Sequence, residues 1–370
     1  MSGKIISAGH ICLDITPVFP AAVEGQPIHE LLQPGKLLAM EAADIHTGGS
    51  VANTGLALKL LGNDVSLMGK IGRDTFGEVL KSIVSSYGAG GLIEDGNSST
   101  SYYVVLAVPG CDRIFLHNPG ANDSFSDADI PDEALQDAVL FHFGYPPLMK
   151  RMYAENGKEL TRIFRRMKEK GIATSLDLAA VDPRSEAGQA DWRSILNGVL
   201  PYVDFFVPSF EELCFMLDRE RYLRLSSRGG DITDGLDVQT EALPLADDLI
   251  GMGCRVVLIK CGTSGMAYKT AVREAFRKIG EKLPLNTRIW ADREGIQPCF
   301  RAEIVRSGTG AGDTSIAAFL TAILRGYSPV ECAALAAAEG ACSVTAYDAL
   351  SGLKSIEELN ERIRAGWITI

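Results

Sequence analysis

Residues 314–324, Thr-Ser-Ile-Ala-Ala-Phe-Leu-Thr-Ala-Ile-Leu, are apolar on nearly every side. A helix of this kind has no wet face, so the rest of the chain must surround it. With 370 residues, 46% of them hydrophobic, the chain can supply one large α/β domain or two smaller ones. Directly before the apolar run stands Ser307-Gly308-Thr309-Gly310-Ala311-Gly312-Asp313. Its glycines let the backbone bend and let a ligand come close to it. A glycine loop opening into a buried helix leaves backbone N–H groups pointing outward at the positive end of the helix dipole, which makes an anion site. A carboxylate there, Asp313, would repel a resident phosphate. It suits a phosphoryl group in transit, with Asp313 accepting the proton of the attacking hydroxyl. Taken alone, the loop also reads as a glycine turn with Asp at a helix start. It matches neither the G-x-x-x-x-G-K-[ST] phosphate loop nor the G-x-G-x-x-G dinucleotide fingerprint.

Elsewhere short apolar runs alternate with helical stretches. Strands are expected at 4–8, 138–143, 173–178, 204–207 and 256–260. Helices are expected at 51–61, stopped by Gly62, and at 158–170, stopped by Gly171. Ser209 with Glu212, and Ser328 with Glu331, form capping boxes at two further helix starts. Alternation of this kind implies a mostly parallel sheet covered on both faces. Residues 15–45 carry four prolines and no helical period, and they are too long for an ordinary connection. Two strand-like runs, 101–108 and 113–117, flank Pro109-Gly110-Cys111-Asp112, which reads as a hairpin turn. Together these segments, about 15–45 and 98–120, are expected to form a small β-sheet standing off a single domain that spans 1–370. The polar stretches 219–243 and 270–298 read as surface insertions.

The net charge of −11 argues against a nucleic-acid partner and against an anionic membrane surface. Eight scattered cysteines with no C-x-x-C suggest neither a zinc site nor a disulfide framework, and a reduced, cytoplasmic protein is expected. No apolar run reaches membrane-spanning length, and the first residues lack a signal-peptide core.

Ser307 to Asp313 resembles the C-terminal signature of the PfkB (ribokinase-like) family of carbohydrate and nucleoside kinases, Asp-Thr-x-Gly-Ala-Gly-Asp. His46-Thr47-Gly48-Gly49-Ser50-Val51-Ala52-Asn53 resembles the family's N-terminal signature, and residues 68–77 the segment after it. The resemblance implies a ribokinase-like three-layer α/β/α fold, with a mostly parallel central sheet and a β-sheet lid. It implies ATP and Mg²⁺ as cofactors, and a homodimer formed through the lid. It assigns Asp14, Gly48, Gly49, Asn53 and Asn122 (in Gly120-Ala121-Asn122) to the acceptor. It assigns Lys260, Gly262, Thr263, Gly265, Thr309, Gly310, Gly312 and Ala346 to ATP, and Glu212 to Mg²⁺ through water. Two departures from the pattern bear on metal and cation binding. Ser209 replaces the Asn of the family's Asn-x-x-Glu. Ser307 replaces an Asp that helps hold a monovalent cation, so K⁺ activation is expected to be weak or altered.

The expected function is ATP-dependent phosphorylation of a hydroxymethyl group on a sugar, with Asp313 as base and the Gly310, Ala311, Gly312 and Asp313 amides as anion hole. A nucleoside acceptor on the same fold is the alternative. A non-catalytic sugar- or nucleotide-binding protein is the second. It would keep Asp14 and Asn53 but have no need of Asp313. A nicotinamide enzyme would need a glycine fingerprint after the first strand, and Gly9-His10-Ile11-Cys12 offers none.

Overall fold

The computed structural model describes residues 3–108 and 114–370. The expected hairpin turn at 109–112 lies outside the described residues. In chain order the strands are β1 (Lys4–Gly9), β2 (Cys12–Thr16), β3 (Asp44–Gly48), β4 (Val65–Gly72), β5 (Ile93–Asp95), β6 (Tyr102–Leu106), β7 (Ile114–Asn118), β8 (Ala138–Gly144), β9 (Ala173–Leu176), β10 (Phe205–Phe206), β11 (Val256–Lys260), β12 (Met266–Thr270) and β13 (Glu294–Gln297). Among the described residues they build two sheets. The larger runs β13-β12-β11-β10-β9-β8-β1-β4-β5, and the smaller β3-β2-β6-β7. From β11 to β5 every pairing in the large sheet is parallel, while β12 and β13 add an antiparallel edge.

Two apolar cores flank the large sheet, as period-2 alternation requires when both faces are covered. Ile5, Leu140, Phe205 and Leu258 point into one core, which also holds the helices Ser50–Leu60, Ala311–Leu324 and Pro329–Ser343. Ile6, Phe141, Phe206 and Val257 point into the other, with the helices Lys158–Glu169 and Phe210–Leu217. The helix Ala311–Leu324 is buried from Asp313 to Ile323. Burial of Ile316, Phe319, Leu320 and Ile323 is worth ~1.5–3 kcal/mol each, which fixes its N-terminus against the sheet. On the opposite side, fully buried Asp204 is held by Lys168 at 2.6 Å and by the Thr174 N–H at 3.0 Å, with Arg255 at 3.9 Å.

Asp14 is not part of the large sheet. The chain crosses at once into the small sheet, and Asp14 lies in the middle of β2 opposite His46 and Tyr103. The stretch 270–298 is not a surface insertion. It carries the edge strand β13, and it buries Phe276, Leu283 and Trp290 in the first core. The stretch 219–243 likewise carries a helix, Arg219–Ser226, and buries Leu225 and Val238. Polar composition hid these few anchoring side chains. The seven described cysteines are all unpaired. Among the described residues no helix is long and apolar enough to cross a membrane.

Candidate active site

The small sheet stands over the C-terminal end of the large one. A cleft of about 520 Å³ opens between them, within the range of small-molecule sites. Asp14, His46 and Phe115 line it from the small sheet, Asn53 from below, and Arg306, Ser307 and Thr309 from the glycine loop. Asp14 is largely buried there. Burial pushes its carboxyl up to about 6, against a hydrogen bond from the Cys12 thiol (3.3 Å) and the nearby His46. Gly48, opposite Cys12 on β3, makes the room. A Cβ on Gly48 would lie 2.4 Å from each Asp14 oxygen. Gly49 follows at φ +82°, capping the helix Ser50–Leu60.

That helix carries Asn53 and Thr54 to Asp313. Asn53 Nδ2 donates to Asp313 Oδ2 at 3.1 Å, and Thr54 Oγ1 donates to Oδ1 at 3.0 Å. The Tyr145 hydroxyl donates to Oδ2 at 2.7 Å. Burial, then the Asp313 charge, raise the Tyr145 hydroxyl well above its ordinary range, so it stays a proton donor. The carboxylate is 4% exposed and sits behind Asn53, which lines the cleft.

Gly310 takes φ +75°, a left-handed turn that aims the loop's amides out of the helix start. Ala311 N–H turns back to the Gly308 carbonyl at 3.3 Å. Among the described residues no acceptor faces the N–H groups of Gly310, Gly312 and Asp313. The expected four-amide anion hole is thus corrected to three, because the first helical turn closes on Ala311. Lys260, at the end of β11, reaches this spot. Its Nζ would stand 3.7 Å from a Cβ placed on Gly312. It pairs with Asp177 at 2.8 Å. Burial works against the Lys260 charge, but Asp177, Glu212 and Asp313 outweigh it and hold the ammonium above its ordinary range. Burial pushes Asp177 up, reinforced by Glu212 and Asp313 against the pull of Lys260. Glu212 is engaged in the predicted capping box, its Oε2 accepting the Ser209 N–H at 2.7 Å.

Other expected residues fall elsewhere. Asn122 is fully buried, and its amide braces the Ile11 backbone, accepting from Ile11 N–H at 3.2 Å and donating to Ile11 C=O at 2.9 Å. That use leaves it a structural tie away from the cleft lining. Gly262, Thr263 and Gly265 form the turn between β11 and β12, and Thr233 packs on Gly262. Ala346 stands just before Tyr347–Leu350, the segment that lines the cleft. Thr54, Tyr145 and Asp177 were not foreseen. Tyr145 and Asp177 both sit just past strand ends, β8 and β9, where ligand groups gather in open α/β sheets. Their place directly after an apolar strand run was the signal that could have found them.

The architecture is ribokinase-like. A family model described as pfkB family carbohydrate kinase matches residues 26–356, and the chain belongs to that family. Fructokinase-2 of Solanum lycopersicum is 31% identical over 147 residues, 39% of this chain and 41% of that enzyme. The aligned part of the chain thus spans less than half the length of that relative. An uncharacterized sugar kinase of Archaeoglobus fulgidus is 25% identical over 301 residues, 80% of this chain and 98% of its own. In fold, the chain is similar to a putative ribokinase II from E. coli, whose crystal structure is a complex with ATP and Mg²⁺. The TM-score is 0.71 at 19% identity, covering 98% of this chain and 99% of that one.

Proposed function

We propose that this chain is an ATP-dependent sugar kinase that transfers the γ-phosphoryl group to a hydroxymethyl group of a sugar or sugar-like acceptor. One observation carries the reading. Asp313, buried behind cleft-lining Asn53 and oriented by three donors, opens the same helix whose uncommitted amides the Lys260 ammonium approaches. Asp14 and Asn53 would hold acceptor hydroxyls, and Asp313 would take the proton of the attacking one. The Gly310, Gly312 and Asp313 amides, with Lys260, would stabilise charge on the migrating phosphoryl. Unpaired amides beside a buried ammonium fit a polyphosphate. Glu212, with Asp177 near it, would meet Mg²⁺ through water rather than as a direct ligand, which suits an ion that keeps most of its waters. Mg²⁺, when bound with ATP, would neutralise phosphate charge and draw it off the leaving oxygen. The small sheet would act as the lid that excludes water.

Lys260, Gly262, Thr263, Gly265, Thr309 and Ala346 are proposed to border the nucleotide. Ser307, in place of an acidic residue, supports weak K⁺ activation. A nucleoside acceptor is the second reading, supported by Phe115, whose exposed ring lines the cleft. A homodimer through the lid is supported by Ile114 and Leu116, exposed on the sheet and absent from the cleft lining. A cytoplasmic location fits the unpaired cysteines. A coupled ADP-release assay over sugars and nucleosides tests the reading. ATP- and Mg²⁺-dependent turnover with a sugar is expected. Turnover with nucleosides alone, or with no acceptor, overturns it.

A further inference from the structure

Deepening that reading, we infer that Tyr145 is a positioning residue that leaves Asp313 a single free oxygen site, on Oδ1, for the acceptor hydroxyl. An ionised carboxylate offers about two lone-pair sites on each oxygen. Oδ2 has both filled, by the Tyr145 hydroxyl at 2.7 Å and the Asn53 amide at 3.1 Å. Oδ1 has one filled, by Thr54 at 3.0 Å. The remaining Oδ1 site is where a hydroxyl can donate its proton. The donors stand on separate elements, the turn after β8 and the helix Ser50–Leu60, so the carboxylate plane is fixed from two sides.

The backbone at Tyr145 points the same way. Tyr145 adopts φ 64°, ψ 41°. A bulky side chain in that left-handed region is strained by ~1–3 kcal/mol and persists only where the surroundings enforce it. Here buried Pro146 and Pro147 follow it, and the Gly144 carbonyl before it accepts from His10 N–H at 3.2 Å. The strain delivers a partly buried phenol to a carboxylate 168 residues away in the chain. A packing residue would need neither the hydroxyl nor that conformation.

Tyr145→Phe keeps the ring and the backbone and removes only the donor. With Oδ2 partly freed, the carboxylate can turn and can take its proton on the wrong oxygen. The expected result is kcat lower by ~10–100-fold, with both KM values within twofold of wild type. Thr54→Val perturbs the other oxygen and is expected to lower kcat as well, with Thr54→Ser restoring it. Adding Tyr145→Phe to Asp313→Asn is expected to change the residual rate no further. An unchanged kcat in a folded Tyr145→Phe enzyme overturns the inference. So does a loss confined to the acceptor KM, which would place the phenol on the substrate instead. If Asp313→Asn itself turns over at the wild-type rate, the kinase reading fails rather than this refinement of it.

Discussion

Substituting Gly48 with Ala isolates the role of Asp14. Position 48 is not among the glycines with positive φ, so Ala fits the backbone of β3 without strain. The new Cβ, however, would stand 2.4 Å from both Asp14 oxygens, where ordinary contact begins at 3.4 Å. The carboxylate must therefore withdraw by about 1 Å. It is packed against Cys12 and largely buried, so it has little room to do so without leaving the cleft wall. A hydrogen bond to a charged group is worth ~1.5–3 kcal/mol, and losing it corresponds to roughly 10–100-fold in kcat/KM for the acceptor. Steady-state kinetics with the acceptor varied at saturating ATP reads this directly. The KM for ATP, whose proposed contacts lie on other elements, is expected to stay within twofold. The control is the same substitution in an Asp14→Ala background, where there is no carboxylate to displace and Gly48→Ala should add nothing. A Gly48→Ala enzyme with wild-type acceptor kinetics, or an equal loss in both backgrounds, would refute the placement of Asp14 on the acceptor.

The remaining predictions concern charge and burial. The Asp14 carboxyl is raised to about 6 by burial, so acceptor kcat/KM should fall as pH drops through about 6 while the ATP KM stays flat, and Asp14→Asn should abolish that limb. The stability linkage has the matching sign. With the folded value above the unfolded one, the ionised carboxylate opposes folding above about pH 6, so Asp14→Asn should raise Tm more at pH 8 than at pH 4. Asp204→Ala would leave Lys168 and Arg255 without their buried partner, and denaturant titration should show a loss of ~3–5 kcal/mol.

What could be read before folding was local. Residues 314–324 announce burial through their lack of a polar stripe, and Asp313 announces itself through the glycines before it. The capping boxes at Ser209 and Ser328 form as their spacing predicts. The contacts that orient the base are not local. Thr54 and Asp313 are 259 residues apart, and no periodicity in either segment marks them as neighbours. Asn122 shows the opposite failure. An amide able to hold a sugar hydroxyl is equally able to hold a backbone, and the sharp step from β1 to β2 leaves Ile11 needing it. In the 270–298 stretch, Phe276, Leu283 and Trp290 recur every seventh residue, but Pro284 rules out one continuous helix to carry them, yet each is buried.

Removing only the Asp313 carboxylate asks whether that group takes the proton of the phosphoryl acceptor. In single-turnover phosphorylation by Asp313→Asn, run beside calorimetric ATP binding, ATP affinity is expected to stay intact while the chemical step slows by ~10²–10⁴-fold. A chemical step within a few-fold of wild type would mean that the proton leaves by another route.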